Sequence, residues 1–125
     1  MPHEHWKDDP DAHDFPAAAD YLTLLVSESV AASIVEGLKG ATTMHKKAKD
    51  LMRASGLRLL PADNAEVAKD LAKVKDGQLL SPVLLVRGDA GAGRALIVAD
   101  GYHRICASYH LDEDADIPCR LADLP

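Results

Sequence analysis

Residues 82–104 read PVLLVRGDAGAGRALIVADGYHR, and how this stretch folds decides the architecture. Pro82 leads a continuous apolar run, Val83-Leu84-Leu85-Val86, as expected of a buried strand. Gly88 to Gly93 supplies a turn, and Ala95-Leu96-Ile97-Val98-Ala99 is a second apolar strand, so the pair predicts a hairpin. At Asp100-Gly101 the strand pattern gives way to a helix from Tyr102 to about Leu111. A loop of acids follows, and Ile117 to Leu121 reads as a closing strand.

Working outward, Leu57-Arg58-Leu59-Leu60 reads as a short strand that Pro61 terminates. Asp63 or Asn64 can cap the next helix, with Glu66 placed to complete a capping box with Asp63. That helix shows Val67, Leu71 and Val74 on one face and stops before Gly77. Further upstream, Leu22, Leu25, Val26, Val30 and Ile34 recur at helical spacing between Asp20 and Gly37. A second helix is expected from Thr42 or Thr43 to Ala54, with Met44, Ala48, Leu51 and Met52 on one side and lysines on the other. The pattern is α+β: a small mixed sheet with packed helices, preceded by two N-terminal helices. It divides into an acidic, flexible tail over 1–16, a helical extension over 17–56 and a domain over 57–125. His3, His5 and His13 in the tail lack the fixed geometry a metal site needs, while Trp6 and Phe15 are the residues that would dock it.

The chain has 125 residues, room for one domain, and its 47% apolar and 27% charged content excludes wholesale disorder. No apolar run approaches the roughly 18–20 residues of a membrane span, and the acidic start lacks the pattern of a secretory signal. Cys106 and Cys119 are too few for a disulfide framework. A cytoplasmic protein is therefore expected. The net charge of -6 argues against nucleic acid as a partner, although Lys46, Lys47, Lys49, Arg53 and Arg58 make one local basic stretch. A small anionic ligand suits that balance better than a long polyanion.

One segment carries chemistry. In Asp100-Gly101-Tyr102-His103-Arg104 a strand ends and a helix begins, and the first N–H groups of a helix have no partner within it. Gly101 allows a sharp turn and close approach of a ligand, Arg104 offers a planar fork of donors for phosphate oxygens, and His103 can donate as well. The plainer reading has Asp100 capping the helix, Gly101 serving the turn and Arg104 pairing with the acids of 112–116.

The order of parts from Leu57 to Leu124 resembles the ParB/sulfiredoxin-like family: a strand with a proline, a capped helix, a Pro-led strand, a turn, a strand, Asp-Gly-Tyr-His-Arg at a helix start, and Ile-Pro before the last strand. In that family the matching loop reads Gly-x-His-Arg in sulfiredoxins, Gly-Glu-Arg-Arg in chromosome-partitioning ParB proteins and Asp-Gly-x-His-Arg in relatives that include free-serine kinases, and it cradles nucleotide phosphates. The resemblance implies a phosphate loop at Gly101, Tyr102, His103 and Arg104. It also implies that the polar face of the helix from Asn64, carrying Glu66, Lys69 and Lys73, looks toward that loop, with both lysines as candidate phosphate contacts. The plainer alternative for that face is solvent, with a Glu66–Lys69 ion pair.

Sulfiredoxin chemistry is not expected, because Tyr102 stands where that enzyme has its nucleophilic cysteine. Cys106 lies one helical turn on and reads as a buried small side chain. A ParB-like role on nucleic acid fares poorly, since those proteins follow this domain with a helix-turn-helix that residues up to Pro125 do not supply. The leading expectation is binding of a nucleotide or phosphorylated small molecule. If the protein is an enzyme, it would be a Mg2+-dependent phosphotransferase using ATP, ADP or CTP, with Asp100 as metal ligand or base and Glu66 as second carboxylate. The competing class is a non-enzymatic domain in which Leu22, Leu24, Leu25 and Val26 of the N-terminal helices form a homodimer interface.

Overall fold

From the N-terminus, residues 5–125 described by the computed structural model run α1 (Asp14–Leu22), α2 (Glu28–Gly40), β1 (Met44–Lys47), α3 (Ala48–Ser55), α4 (Ala65–Lys75), β2 (Val83–Val86), a single 3-10 turn (Ala90–Ala92), β3 (Ile97–Asp100), α5 (Tyr102–Leu111) and β4 (Asp116–Ala122). The expected hairpin forms: β2 and β3 pair antiparallel, with a register shift between Leu84 and Leu85. The other edge of β2 pairs parallel with β4, and β4 pairs antiparallel with β1, so the mixed sheet has the order β1-β4-β2-β3.

Every residue of β2 is buried, because helices cover both faces of the sheet. Successive strand side chains point to opposite faces. Val83 and Leu85 join Val98, Ile117 and Cys119 in a core completed by Leu51 and Met52 of α3, Val67 of α4 and Ile105 and Cys106 of α5. Leu84 and Val86 join Ala99 and Ala122 in a second core against Ala18 and Leu22 of α1 and Ile34 and Leu38 of α2. The fold is α+β in three layers.

Four local expectations differ from the structure. The helix expected from Asp20 to Gly37 is two helices: α1 ends at Leu22, and Ser27 caps α2 by accepting from the Val30 N–H at 3.3 Å. Apolar spacing hides this break because Leu22 and Ile34 face the same core. The helix expected from Thr42 begins only at Ala48, since Met44–Lys47 instead fill the free edge of β4. An edge strand of exposed lysines is a common way to discourage further pairing. No strand forms at Leu57–Leu60. The β4 edge is taken by β1, and carbonyls of this loop are met from α5 instead: the Tyr102 hydroxyl donates to Arg58 O, and His110 Nε2 lies 2.7 Å from Leu60 O. At α4 the cap is Asn64, one of the two residues expected there, whose Oδ1 accepts from Glu66 N and Val67 N; what differs is that Asp63, with its box to Glu66, is not the cap.

The largest difference concerns the segment read as an acidic tail. Residues 5–14 are a packed strap. Trp6 is buried at 4% exposure and bridges to Leu80, with Lys7 N donating to Leu80 O and Leu80 N to His5 O, both at 2.7 Å. An indole buries on the order of 150–250 Å2, worth about 4–6 kcal/mol at ~25 cal/mol per Å2, enough to order a short segment that composition alone marks as soluble. His3 lies outside the described residues. The boundary expected at 56/57 is likewise crossed, since β1 belongs to the same sheet as β2 to β4 and α1 and α2 supply the second core. Of the apolar residues expected at a dimer interface, Leu22 is fully buried within the monomer and Val26 packs on the second core, whereas Leu24 and Leu25 are exposed. Among the described residues no helix is long and apolar enough to cross a membrane.

Candidate functional site

At the C-terminal end of β3 the chain must turn from Asp100 into α5 within one residue. Gly101 does this with φ of 107°, a backbone conformation that side chains rarely adopt. A Cβ built there would stand 2.5 Å from Val83 Cγ1 and 3.0 Å from Arg104 Nη2. The turn thus brings the start of α5 flush against β2, and its first amides lack helical acceptors. Asp100, Gly101, Tyr102, His103 and Arg104 all line one cleft of about 440 Å3.

Two further elements complete that cleft. From α4 come Glu66, Asp70 and Lys73, spaced i, i+4 and i+7 and therefore on one helical face. The strap contributes Lys7, Asp11, His13 and Asp14. Of the residues read from sequence, the structure gathers Glu66, Lys73 and the whole Asp100–Arg104 segment. Lys69 is exposed and is not part of the lining; Asp70, its neighbour, takes the inward position. The packing of α4 on α5 sets this rotation, and the turn of about 100° per residue along α4 carries Lys69 away from the cleft when Asp70 faces it.

Arg104 does not present a free fork. Its Nη2 donates to Asp100 Oδ2 at 2.6 Å and its Nη1 to Ser81 O at 2.5 Å, with Asp14 Oδ2 and Pro82 O each 3.4 Å away. Only 13% of its side chain is exposed. The acids that hold it are Asp100 and Asp14, and not those of 112–116, where Asp114 pairs with Lys49 at 2.5 Å. Asp14 is itself buried and its Oδ2 accepts a hydrogen bond from the Ser81 hydroxyl, while Ser81 Oγ accepts from Asp11 N at 3.1 Å.

Titration follows from these surroundings. Burial pushes the Asp100 carboxyl above the ordinary range, against the pull of Arg104 and with a further push from Asp14. Burial also raises Asp70, opposed by Lys73, Arg104 and His103. The Lys7 ammonium, 2.7 Å from Asp11 Oδ1, holds Asp11 below its ordinary value. Neither Tyr102 nor Cys106 is activated: burial raises both, the Tyr102 hydroxyl is engaged with Arg58 O, and Cys106 is fully buried.

Five carboxylates (Asp11, Asp14, Glu66, Asp70, Asp100) thus share the cleft with three permanent cations (Lys7, Lys73, Arg104) and the imidazoles of His13 and His103. One ligand atom each from Asp11, His13 and Asp14 lies within 4.8 Å of the other two. The strap residues escaped sequence reasoning because their segment reads as solvent-exposed. The signal for them was the aromatic anchor Trp6, read from sequence as able to dock the segment but outweighed there by its acidic, proline-rich composition. No family model, curated protein or solved structure matches this chain.

Proposed function

We propose that the cleft binds a nucleotide or another phosphorylated small molecule, with a phosphate set against the start of α5. The observation that carries this reading is the Gly101 turn. A positive-φ glycine with no space for a Cβ delivers the unpaired amides of a helix start into a 440 Å3 cleft, an arrangement suited to a phosphate. The likeness of Asp-Gly-Tyr-His-Arg to the ParB/sulfiredoxin-like phosphate loop supports the same reading. His103 and Lys73 are the side-chain donors best placed to meet the ligand, because Arg104 is engaged by Asp100 and Ser81 and serves to hold the loop. Lys69 has no part in it.

The carboxylate surplus favours phosphoryl transfer as the reaction class. A polyphosphate entering this cleft meets more negative than positive charge, so it must arrive with a divalent cation. Asp100 and Glu66 suit that need: a Mg2+ ion takes one or two protein carboxylates together with phosphate oxygens, and would supply charge neutralisation there. With its carboxyl raised by burial, Asp100 is also a reasonable acceptor for the proton of an attacking hydroxyl.

The test is titration calorimetry with ATP, ADP, CTP and inorganic phosphate, each with and without Mg2+. His103→Ala and Lys73→Ala should each weaken binding of the same nucleotide by about tenfold, the loss of a charged hydrogen bond. Absence of binding across the panel, or affinity in both variants equal to that of the unmodified chain, refutes the reading. A second reading, self-association, has its own observation: an apolar groove of about 430 Å3 lined by Tyr21, Leu25, Leu57 and Leu96, with Leu25 52% exposed. Light scattering over a concentration series checks it, and a mass equal to one chain throughout rejects a homodimer.

A further inference from the structure

We infer that Asp11, His13 and Asp14 form a binding site for a transition-metal dication of the Mn2+ or Zn2+ type, built into the strap on the wall of the cleft. The donor set decides the class of ion. One imidazole with two carboxylates suits Mn2+, Fe2+ or Zn2+, whereas Mg2+ and Ca2+ prefer oxygen alone.

The geometry is close to what such an ion needs. Bonds of roughly 2.0–2.2 Å place neighbouring donors about 3.0–3.5 Å apart. His13 Nε2 already stands 3.5 Å from Asp14 Oδ1, and all three donors lie within 4.8 Å of one another. The His13 side chain is 82% exposed and that of Asp11 is part-exposed, so both can shift toward Asp14. Asp14 by contrast is fixed. Its Oδ2 is occupied by the Ser81 hydroxyl and faces Arg104 Nη1 at 3.4 Å, which leaves Oδ1 directed at His13. Groups that hold a ligand carboxylate from behind in this way orient it and raise affinity. The same Ser81 Oγ accepts from Asp11 N, so both carboxylate segments are anchored to one side chain.

Charge points the same way. The cleft carries five carboxylates against three permanent cations, a balance that favours a further cation. The positive end of α1 opposes a cation, but only as a fraction of a charge against two carboxylates. The direct competitor is the Lys7 ammonium on Asp11, and it sits on a part-exposed side chain free to leave. This site does not rest on the phosphate reading. Should both hold, Asp14 joins them, because it touches His13 on one side and Arg104 on the other.

The experiment uses tag-free, metal-stripped full chain and the metal alone, with no nucleotide: Mn2+ binding followed by electron paramagnetic resonance, and Zn2+ and Mg2+ by calorimetry. One Mn2+ or Zn2+ per chain is expected, with Mg2+ at least about tenfold weaker. His13→Ala and Asp11→Asn should each lower the affinity by at least about tenfold. Lys7→Met, which removes the competitor, should raise it. All three positions are exposed or half-buried, and circular dichroism confirms that the variants fold. Stoichiometric binding that is lost in His13→Ala and strengthened in Lys7→Met supports the site. No saturable binding at millimolar metal, or equal affinity in His13→Ala and the unmodified chain, overturns it whatever the nucleotide panel shows.

Discussion

Substituting alanine at Gly101 tests the turn on which the cleft depends, and two penalties can be worked out from its surroundings. The first is conformational. At φ of 107° an L side chain is strained whatever space surrounds it, at a cost of about 1–3 kcal/mol. The second is steric: the new Cβ would lie 2.5 Å from Val83 Cγ1 and 2.9 Å from Val83 Cβ, and Val83 is fully buried in β2 and cannot retreat. Forcing a methyl into a packed core costs a further ~1–3 kcal/mol. Gly101→Ala should therefore lose about 2–6 kcal/mol, read as a lower urea midpoint at unchanged slope. A double-mutant cycle with Val83→Ala separates the two penalties. Removing the Val83 methyls relieves the 2.5 Å clash but leaves the φ strain and the 2.9 Å approach, so the pair should be less destabilised than the sum of the singles by about 1 kcal/mol or more. Additivity within about 0.5 kcal/mol would mean that Val83 does not confine this turn. A Gly101→Ala protein as stable as the parent would refute the reasoning outright.

Trp6→Ala should cost about 3–5 kcal/mol in urea denaturation, because it empties a core position; a loss below about 1 kcal/mol would return residues 5–14 to the status of a loose tail. Asp70 makes stability depend on pH with a defined sign. Its carboxyl is raised in the folded state, so the native protein binds the extra proton between the ordinary value of 3.8 and the raised one, and stability falls as pH rises through that window. Asp70→Asn should remove that fall, and a stability difference between the two proteins that stays flat from acid to neutral pH contradicts it. Cys106 and Cys119 are both fully buried, and burial raises both thiols, Cys119 to about 11, so neither should react with a thiol reagent faster than the protein opens; rapid native labelling of Cys106 would reopen thiol chemistry at this site.

What could be read in advance had local causes. The run Val83–Val86 is buried on both faces and so is apolar throughout, which is why β2 and its hairpin with β3 were visible. Only a glycine makes the turn at 101, and the helix that follows occupies the expected Tyr102–Leu111. The meeting of Asp100–Arg104 with Glu66 and Lys73 in one cleft was expected only from the resemblance, which also placed Lys69 there; periodicity within α4 showed no more than which residues share a face.

The remainder was decided across long separations in the chain. Whether Met44–Lys47 become helix or strand depends on a vacant edge of β4, far along the chain, where Lys47 comes to lie opposite Asp116 and Met44 opposite Cys119. The choice between Lys69 and Asp70 depends on how α4 is rotated against α5, which no spacing within α4 reveals. The Arg104 guanidinium is engaged by Asp14, 90 positions earlier, and by Ser81 O. A short polar strap is ordered only because Trp6 finds a core and Leu80 an open backbone partner. By itself, then, the sequence determined the sheet's central hairpin, the glycine turn and the helix start at Tyr102, all of which follow from neighbouring residues. Only the tertiary structure decided which charges face one another, because ion pairs and sheet edges join residues whose proximity is a property of the folded chain.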